Sequence, residues 1–127
     1  MSESVLLVED NALVLAQLNQ TLTTAGYQVT TAVNGLDGYN KAQQHRFDLC
    51  IVDHLMPLMN GPQLVKNLIA LGDHAPSSII FLTTQDLKLV NQISEVHLAD
   101  KVLTKPISNT EFLAEVSKLK EYSSEVA

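Results

Sequence analysis

The chain has 127 residues, 46% of them hydrophobic, which is enough for one domain with a single core. Eight Lys and Arg stand against 14 Asp and Glu, and the net charge of −6 is the wrong sign for a surface that must displace counterions from nucleic acid phosphates. One cysteine excludes an internal disulfide, no apolar stretch approaches the roughly 20 residues of a membrane helix, and no basic-apolar leader precedes Val5, so a cytoplasmic domain binding neither DNA nor membrane is expected.

Val5 to Val8 reads as a short buried strand ending at Glu9-Asp10. After Asn11, a plausible N-cap, Leu15, Leu18, Leu22 and Ala25 share one helical face, and Gly26 is placed to end that helix in a left-handed conformation. Gln28 to Val33 is β-branched and alternating, so it is read as a strand. A weaker helix follows through Leu36, Tyr39 and Lys41 to Gln44, with Gly38 counting against it.

Leu49 to Asp53 is an apolar run closed by a carboxylate, followed by a loop from His54 to Gly61 and a helix from about Pro62 to Leu71. Ile79 to Leu82 predicts a fourth strand ending at Thr83, with a helix over roughly Asp86 to Glu95. Val102 and Leu103 form a short fifth strand before Lys105-Pro106. Ser108 to Glu111 then fits a capping box, and Phe112, Val116 and Leu119 give the last helix a core-facing stripe. Glu121 to Ala127 reads as a tail or the start of a linker, which leaves residues 1–120 as the domain.

Five strand-helix alternations with short connections require a parallel sheet covered on both faces, a doubly wound α/β domain. In such sheets ligands bind beyond the carboxyl ends of the strands, so Glu9, Asp10, Asp53, Thr83 and Lys105 should meet in one crevice. Three carboxylates together repel, which predicts a cation, and an all-oxygen site suits Mg²⁺. Asp53 is the expected phosphoryl acceptor, because an aspartate is ordinarily ionised at neutral pH and needs no general base. Lys105 and the metal would stabilise charge on the transferring group, and Thr83 would donate a hydrogen bond to the acyl phosphate.

The run Leu6-Leu7-Val8-Glu9-Asp10-Asn11, then Asp53-His54-Leu55-Met56-Pro57 with Gly61, Phe81-Leu82-Thr83 and Lys105-Pro106 resembles the receiver domain of two-component response regulators over nearly the whole chain. The resemblance implies a flavodoxin-like five-stranded sheet of order 2-1-3-4-5 with five helices. It implies Asp10 and Asp53 as direct Mg²⁺ ligands, Glu9 acting through water, the backbone carbonyl of Leu55 completing the set, and a cis bond before Pro106. It further implies a phosphorelay switch that is not an enzyme beyond its own phosphorylation and dephosphorylation. Its partners would be a histidine kinase or phosphotransfer protein, a downstream output protein or domain, and a second copy of the chain on phosphorylation.

The chain departs from the family pattern at Val102, where an aromatic residue is usual, at Thr84, where a small residue is usual, and at Leu98, where glycine is common. An aromatic rotamer switch cannot operate at Val102. Leu55 and Gln85 hold the positions that tune water access, and an apolar Leu55 is expected to favour a long-lived phosphate. One alternative is a pseudo-receiver acting as a constitutive interaction module. Another is an enzyme on the same fold, a phosphatase or flavoprotein, for which Leu55 and the acids after the first strand are the wrong residues. Cys50 is read as a small buried hydrophobe, and Met56 and Met59 as loop packing. His45, His54, His74 and His97 lack metal-ligand spacing and are read as surface residues without a role.

Overall fold

The computed structural model describes the backbone of residues 3–126 and the side chains of residues 3–119. Strands β1 (Ser4–Val8), β2 (Gln28–Ala32), β3 (Leu49–Asp53), β4 (Ser78–Thr83) and β5 (Lys101–Thr104) alternate with helices α1 (Ala12–Thr24), α2 (Gly35–Gln44), α3 (Gly61–Ile69), α4 (Leu87–Val90) and α5 (Asn109–Val126). The strands pair in parallel in the order β2-β1-β3-β4-β5, so the expected doubly wound fold and strand order are both found. The expectation of a tail over Glu121 to Ala127 falls on residues whose side chains lie outside the described part.

Strand alternation sorts the core into two layers. Leu6, Val8, Cys50, Val52, Ile79 and Phe81 pack against Leu64, Val65 and Leu68 of α3 and against Val90 and Val96. On the opposite face Val5, Leu7, Ile51, Ile80 and Leu82 meet Leu18 and Leu22 of α1 and Phe112 and Val116 of α5. β3, central and covered on both sides, is buried along its whole length, which explains a continuous apolar run rather than an alternating one.

Helix starts follow their caps. The Asn11 side chain accepts from Leu13 N–H and Val14 N–H at 3.0 and 3.1 Å, and Gly26 has φ +100° just beyond α1. Ser108 Oγ accepts from Glu111 N–H at 3.1 Å. α3 begins one residue earlier than expected because Asn60 and Gln63 form a reciprocal capping box. Gly38, which weighed against α2, is there for closeness: a Cβ would stand 2.8 Å from Val8 Cγ2. Its absence lets α2 lie on β1.

The expected helix over Asp86 to Glu95 is the main correction to the sequence reading. α4 is a single turn, Leu87–Val90, and a 3₁₀ turn follows at Ser94–Leu98. Val90 and Val96 are buried with Ile93 half-buried between them, and this three-residue spacing matches a 3₁₀ turn better than the 3.6 of an α-helix. Gln92 and Ile93 accordingly bond three residues back. The Asn91 carbonyl, which a continued helix would offer to Glu95, accepts instead from His97 Nε2 at 2.7 Å.

Candidate functional site

The parallel register brings the carboxyl ends of β1, β3, β4 and β5 level with one another. Val8 pairs with Val52, Asp53 with Leu82, and Thr83 with Thr104, so the residues at the strand ends crowd one edge of the sheet. Lys105 follows β5 directly and its bond to Pro106 is cis, as the resemblance implies. Its ammonium lies 2.6 Å from Asp53 Oδ1 and 2.8 Å from Glu9 Oε1. Asp10 is exposed beside them, and one oxygen from each of Glu9, Asp10 and Asp53 falls within 4.8 Å of the others.

Burial makes this cluster electrostatically demanding. Glu9 is only 1% exposed; its desolvation raises its pKa above the ordinary range, and the lysine hydrogen bond pulling it down only partly offsets this. For Lys105, burial alone would lower the pKa, yet the bonds to Asp53 and Glu9 and their charges prevail and raise it. One ammonium among three carboxylates leaves an excess of negative charge, and the donors are all oxygen. That donor set fits a hard divalent cation such as Mg²⁺.

The carboxylates open into a cleft of about 480 Å³ whose other walls include Val14, Leu18, Leu55 and Ile107. Gly61 packs directly against the backbone of the acceptor, because a Cβ there would come 2.4 Å from the Asp53 carbonyl oxygen and 2.8 Å from His54 Cα. The Gly61 N–H instead donates to the His54 carbonyl at 2.8 Å. Leu55 lines the mouth with its side chain 57% exposed.

Thr83 and His54 stand differently from the sequence expectation. Thr83 is fully buried, and its Oγ1 lies 2.8 Å from His54 Nδ1 while accepting from Gln85 N–H at 3.0 Å. The threonine that lines the cleft is Thr84. His54, read as a surface histidine, is instead 9% exposed, with its ring 5.2 Å from that of Phe81, and burial lowers its pKa. Strand alternation carried one residue further would have found it, since Cys50 and Val52 already point to the side His54 continues. Of the other histidines, His45 and His97 are exposed and His74 is half-buried. Cys50 is buried as expected, and desolvation raises its thiol pKa strongly.

Among the described residues, no helix is long and apolar enough to cross a membrane. The chain is 34% identical over 118 residues to the transcriptional regulatory protein PcoR of Escherichia coli, a match covering 92% of this chain and 51% of that protein. It thus spans about half the length of the curated relatives it matches. Among solved structures, a response regulator receiver domain protein from Methanospirillum hungatei superimposes with a TM-score of 0.89 at 23% identity, covering 100% of both chains. The chemotaxis response regulator CheY4 of Vibrio cholerae does so with a TM-score of 0.86 at 31% identity, covering 93% of this chain and 98% of the other. Residues 5–117 match the response regulator receiver domain family, and the chain belongs to it.

Proposed function

We propose that this chain is a phosphorylation-dependent signalling switch that accepts a phosphoryl group on Asp53 from a phosphohistidine. The observation that carries this reading is the Lys105 ammonium held between Glu9 and Asp53, with Asp10 in reach, at the carboxyl end of a parallel sheet. An Asp53 carboxylate oxygen attacks phosphorus, the P–N bond breaks, and the electron pair leaves with the imidazole nitrogen. Lys105, already bonded to the acceptor, neutralises charge that develops on the transferring oxygens. Glu9 keeps the lysine oriented, and Thr83 binds a phosphoryl oxygen once its hydroxyl turns into the cleft.

Asp10, Asp53 and the Leu55 carbonyl would hold Mg²⁺ directly and Glu9 through water. The cation supplies Lewis-acid neutralisation of the phosphoryl oxygens when bound. The apolar Leu55 side chain at the mouth hinders attacking water, which favours a long-lived phosphate. A histidine kinase or phosphotransfer protein is the donor, and a downstream output protein or domain, or a second copy of the chain, reads the result. The family membership supports these partners and action in the cytoplasm.

The test is to incubate the protein with Mg²⁺ and acetyl phosphate and weigh it intact. One added phosphoryl group is expected on the wild type and none on Asp53→Asn. An undiminished adduct on Asp53→Asn would sink the acceptor assignment, and an unmodified wild type would favour a constitutive interaction module instead.

A further inference from the structure

Asp53 and His54 are neighbours in sequence, but alternation sends their side chains to opposite sides of the sheet. Asp53 faces the cleft; His54 also borders it, but its ring rests on Phe81 in the layer that holds Cys50 and Val52. The His54 backbone is pinned on both sides, donating to Leu82 O at 2.9 Å and accepting from Gly61 N–H at 2.8 Å. Its ring rests on Phe81, and its Nδ1 meets Thr83 Oγ1 at 2.8 Å. Thr83 therefore sits at the site with its hydroxyl committed elsewhere.

We propose that His54 is a positioning residue that latches Thr83 out of the cleft, so that phosphorylation of Asp53 must exchange one hydrogen bond for another. The inference rests on Asp53 being the acceptor. A hydroxyl has a single proton and two lone pairs, and one lone pair of Thr83 already receives Gln85 N–H. The latch assigns the Thr83 proton to Nδ1 across the 2.8 Å contact and the ring proton to Nε2, the tautomer in which the hydroxyl has no proton left for the cleft. In the phosphorylated chain the Thr83 O–H donates to a phosphoryl oxygen instead, and Nδ1 loses its donor.

The released ring gives the signal a way out of the site that Val102 does not provide. Phe81, on which the ring rests, belongs to the cluster that contains Val90 and Val96 and against which Val102 packs. Gln85, whose N–H follows the Thr83 oxygen, lies two residues before α4. A turn of the threonine thus displaces both the imidazole and the start of the segment after β4. The ring that responds to phosphorylation stands beside the acceptor rather than on β5.

The experiment follows the His54 ring nitrogens and the Gln85 amide by NMR in the full chain, before and after phosphorylation with Mg²⁺ and acetyl phosphate. Intact mass is recorded in parallel, and Thr83→Val and His54→Phe are studied alongside. In the wild type, Nδ1 is expected to carry the signature of a hydrogen-bonded acceptor and to lose it as the adduct forms. Unphosphorylated Thr83→Val should show the Nδ1 signal of the phosphorylated wild type. His54→Phe should acquire the adduct about two- to tenfold faster, because no bond to Thr83 has to be broken, and its Gln85 amide should be displaced before phosphorylation.

An Nδ1 signal that stays put while the adduct forms overturns the latch and leaves the acceptor reading intact. So does a His54→Phe adduct that forms no faster than that of the wild type. Absence of any adduct on the wild type overturns the acceptor reading and the latch with it. Should His54→Phe not fold, the Thr83→Val signal decides alone: a shift unlike that of the phosphorylated wild type overturns the proposal.

Discussion

The carboxylate cleft and the segment from Leu87 to Thr104, which joins β4 to Lys105, are built on different principles. In the cleft, each chemical group is fixed by strand register: Glu9 follows β1, Asp53 closes β3, and Lys105 follows β5. Their geometry is set by backbone pairing and by two short bonds to one ammonium. The segment beyond it has one α-helical turn, one 3₁₀ turn and a four-residue strand. The charges of the cleft are held by sheet register, whereas α4 and the 3₁₀ turn are closed by short-range backbone bonds such as Gln92 N–H to Leu89 O and Val96 N–H to Ile93 O.

The largest expected effect comes from removing the ammonium. Lys105→Gln leaves Glu9 and Asp53 buried without their cation, and should slow adduct formation by about 10²- to 10³-fold, the cost of losing one preorganised charge partner. In Mg²⁺-free buffer it should also lower stability by about 3–5 kcal/mol, as for a broken buried pair. Mass spectrometry and urea unfolding measure the two. A rate within threefold of wild type would show that the lysine is a structural counterion only.

The Mg²⁺ dependence of stability tests the same cluster without mutation. Burial raises the Glu9 carboxyl above its ordinary value of 4.5. Between that value and the folded one, the folded chain binds more protons than the unfolded chain. The Mg²⁺-free protein therefore loses stability as pH rises from 4.5 through the folded value. A bound cation opposes this loss only where the carboxylates are ionised. Mg²⁺ at a hundredfold excess over its Kd should add about 2.7 kcal/mol near neutral pH and much less at pH 4.5; an equal shift at both would place the cation elsewhere.

Gly61→Ala moves from charge to backbone. The new Cβ meets the Asp53 carbonyl and His54 Cα, neither of which is a flexible side-chain end. A loss of about 1–3 kcal/mol is expected from the overpacking, with slower phosphorylation because Asp53 itself must shift. Unchanged kinetics in a destabilised variant would mean the loop absorbs the strain without moving the acceptor.

Sequence legibility divided along the same line. The five strands, the strand-end carboxylates and Lys105 were readable because apolar runs ending in polar groups record register directly. α1 and α5 were readable from Asn11 and Ser108. The turn of α4 was not, because Val90, Ile93 and Val96 fit a weak helical pattern until the His97 bond to Asn91 is known, and that bond is tertiary chemistry without a local motif. The Asn60 cap is masked in the sequence by the stronger signal of Pro62. His54 is hidden because histidine is a common surface residue, and only the alternation of β3 continued past Asp53 turns its ring toward Phe81.

Val102→Ala gives the smallest expected change and the sharpest separation of the two regions. Val102 pairs with Phe81 across β4 and β5, packs against the cluster containing Val90 and Val96, and opens onto a groove with Lys101, Glu111 and Glu115 rather than onto the cleft. Truncating this half-buried side chain should cost about 1 kcal/mol while leaving the rate of adduct formation within about twofold, as expected for independent sites. Phosphorylation-induced amide shifts should change around Val90 and Val96 but not around Glu9 and Asp10. A large loss of phosphorylation rate would show that chemistry and response share one structural unit. Their separation by register would then be only apparent.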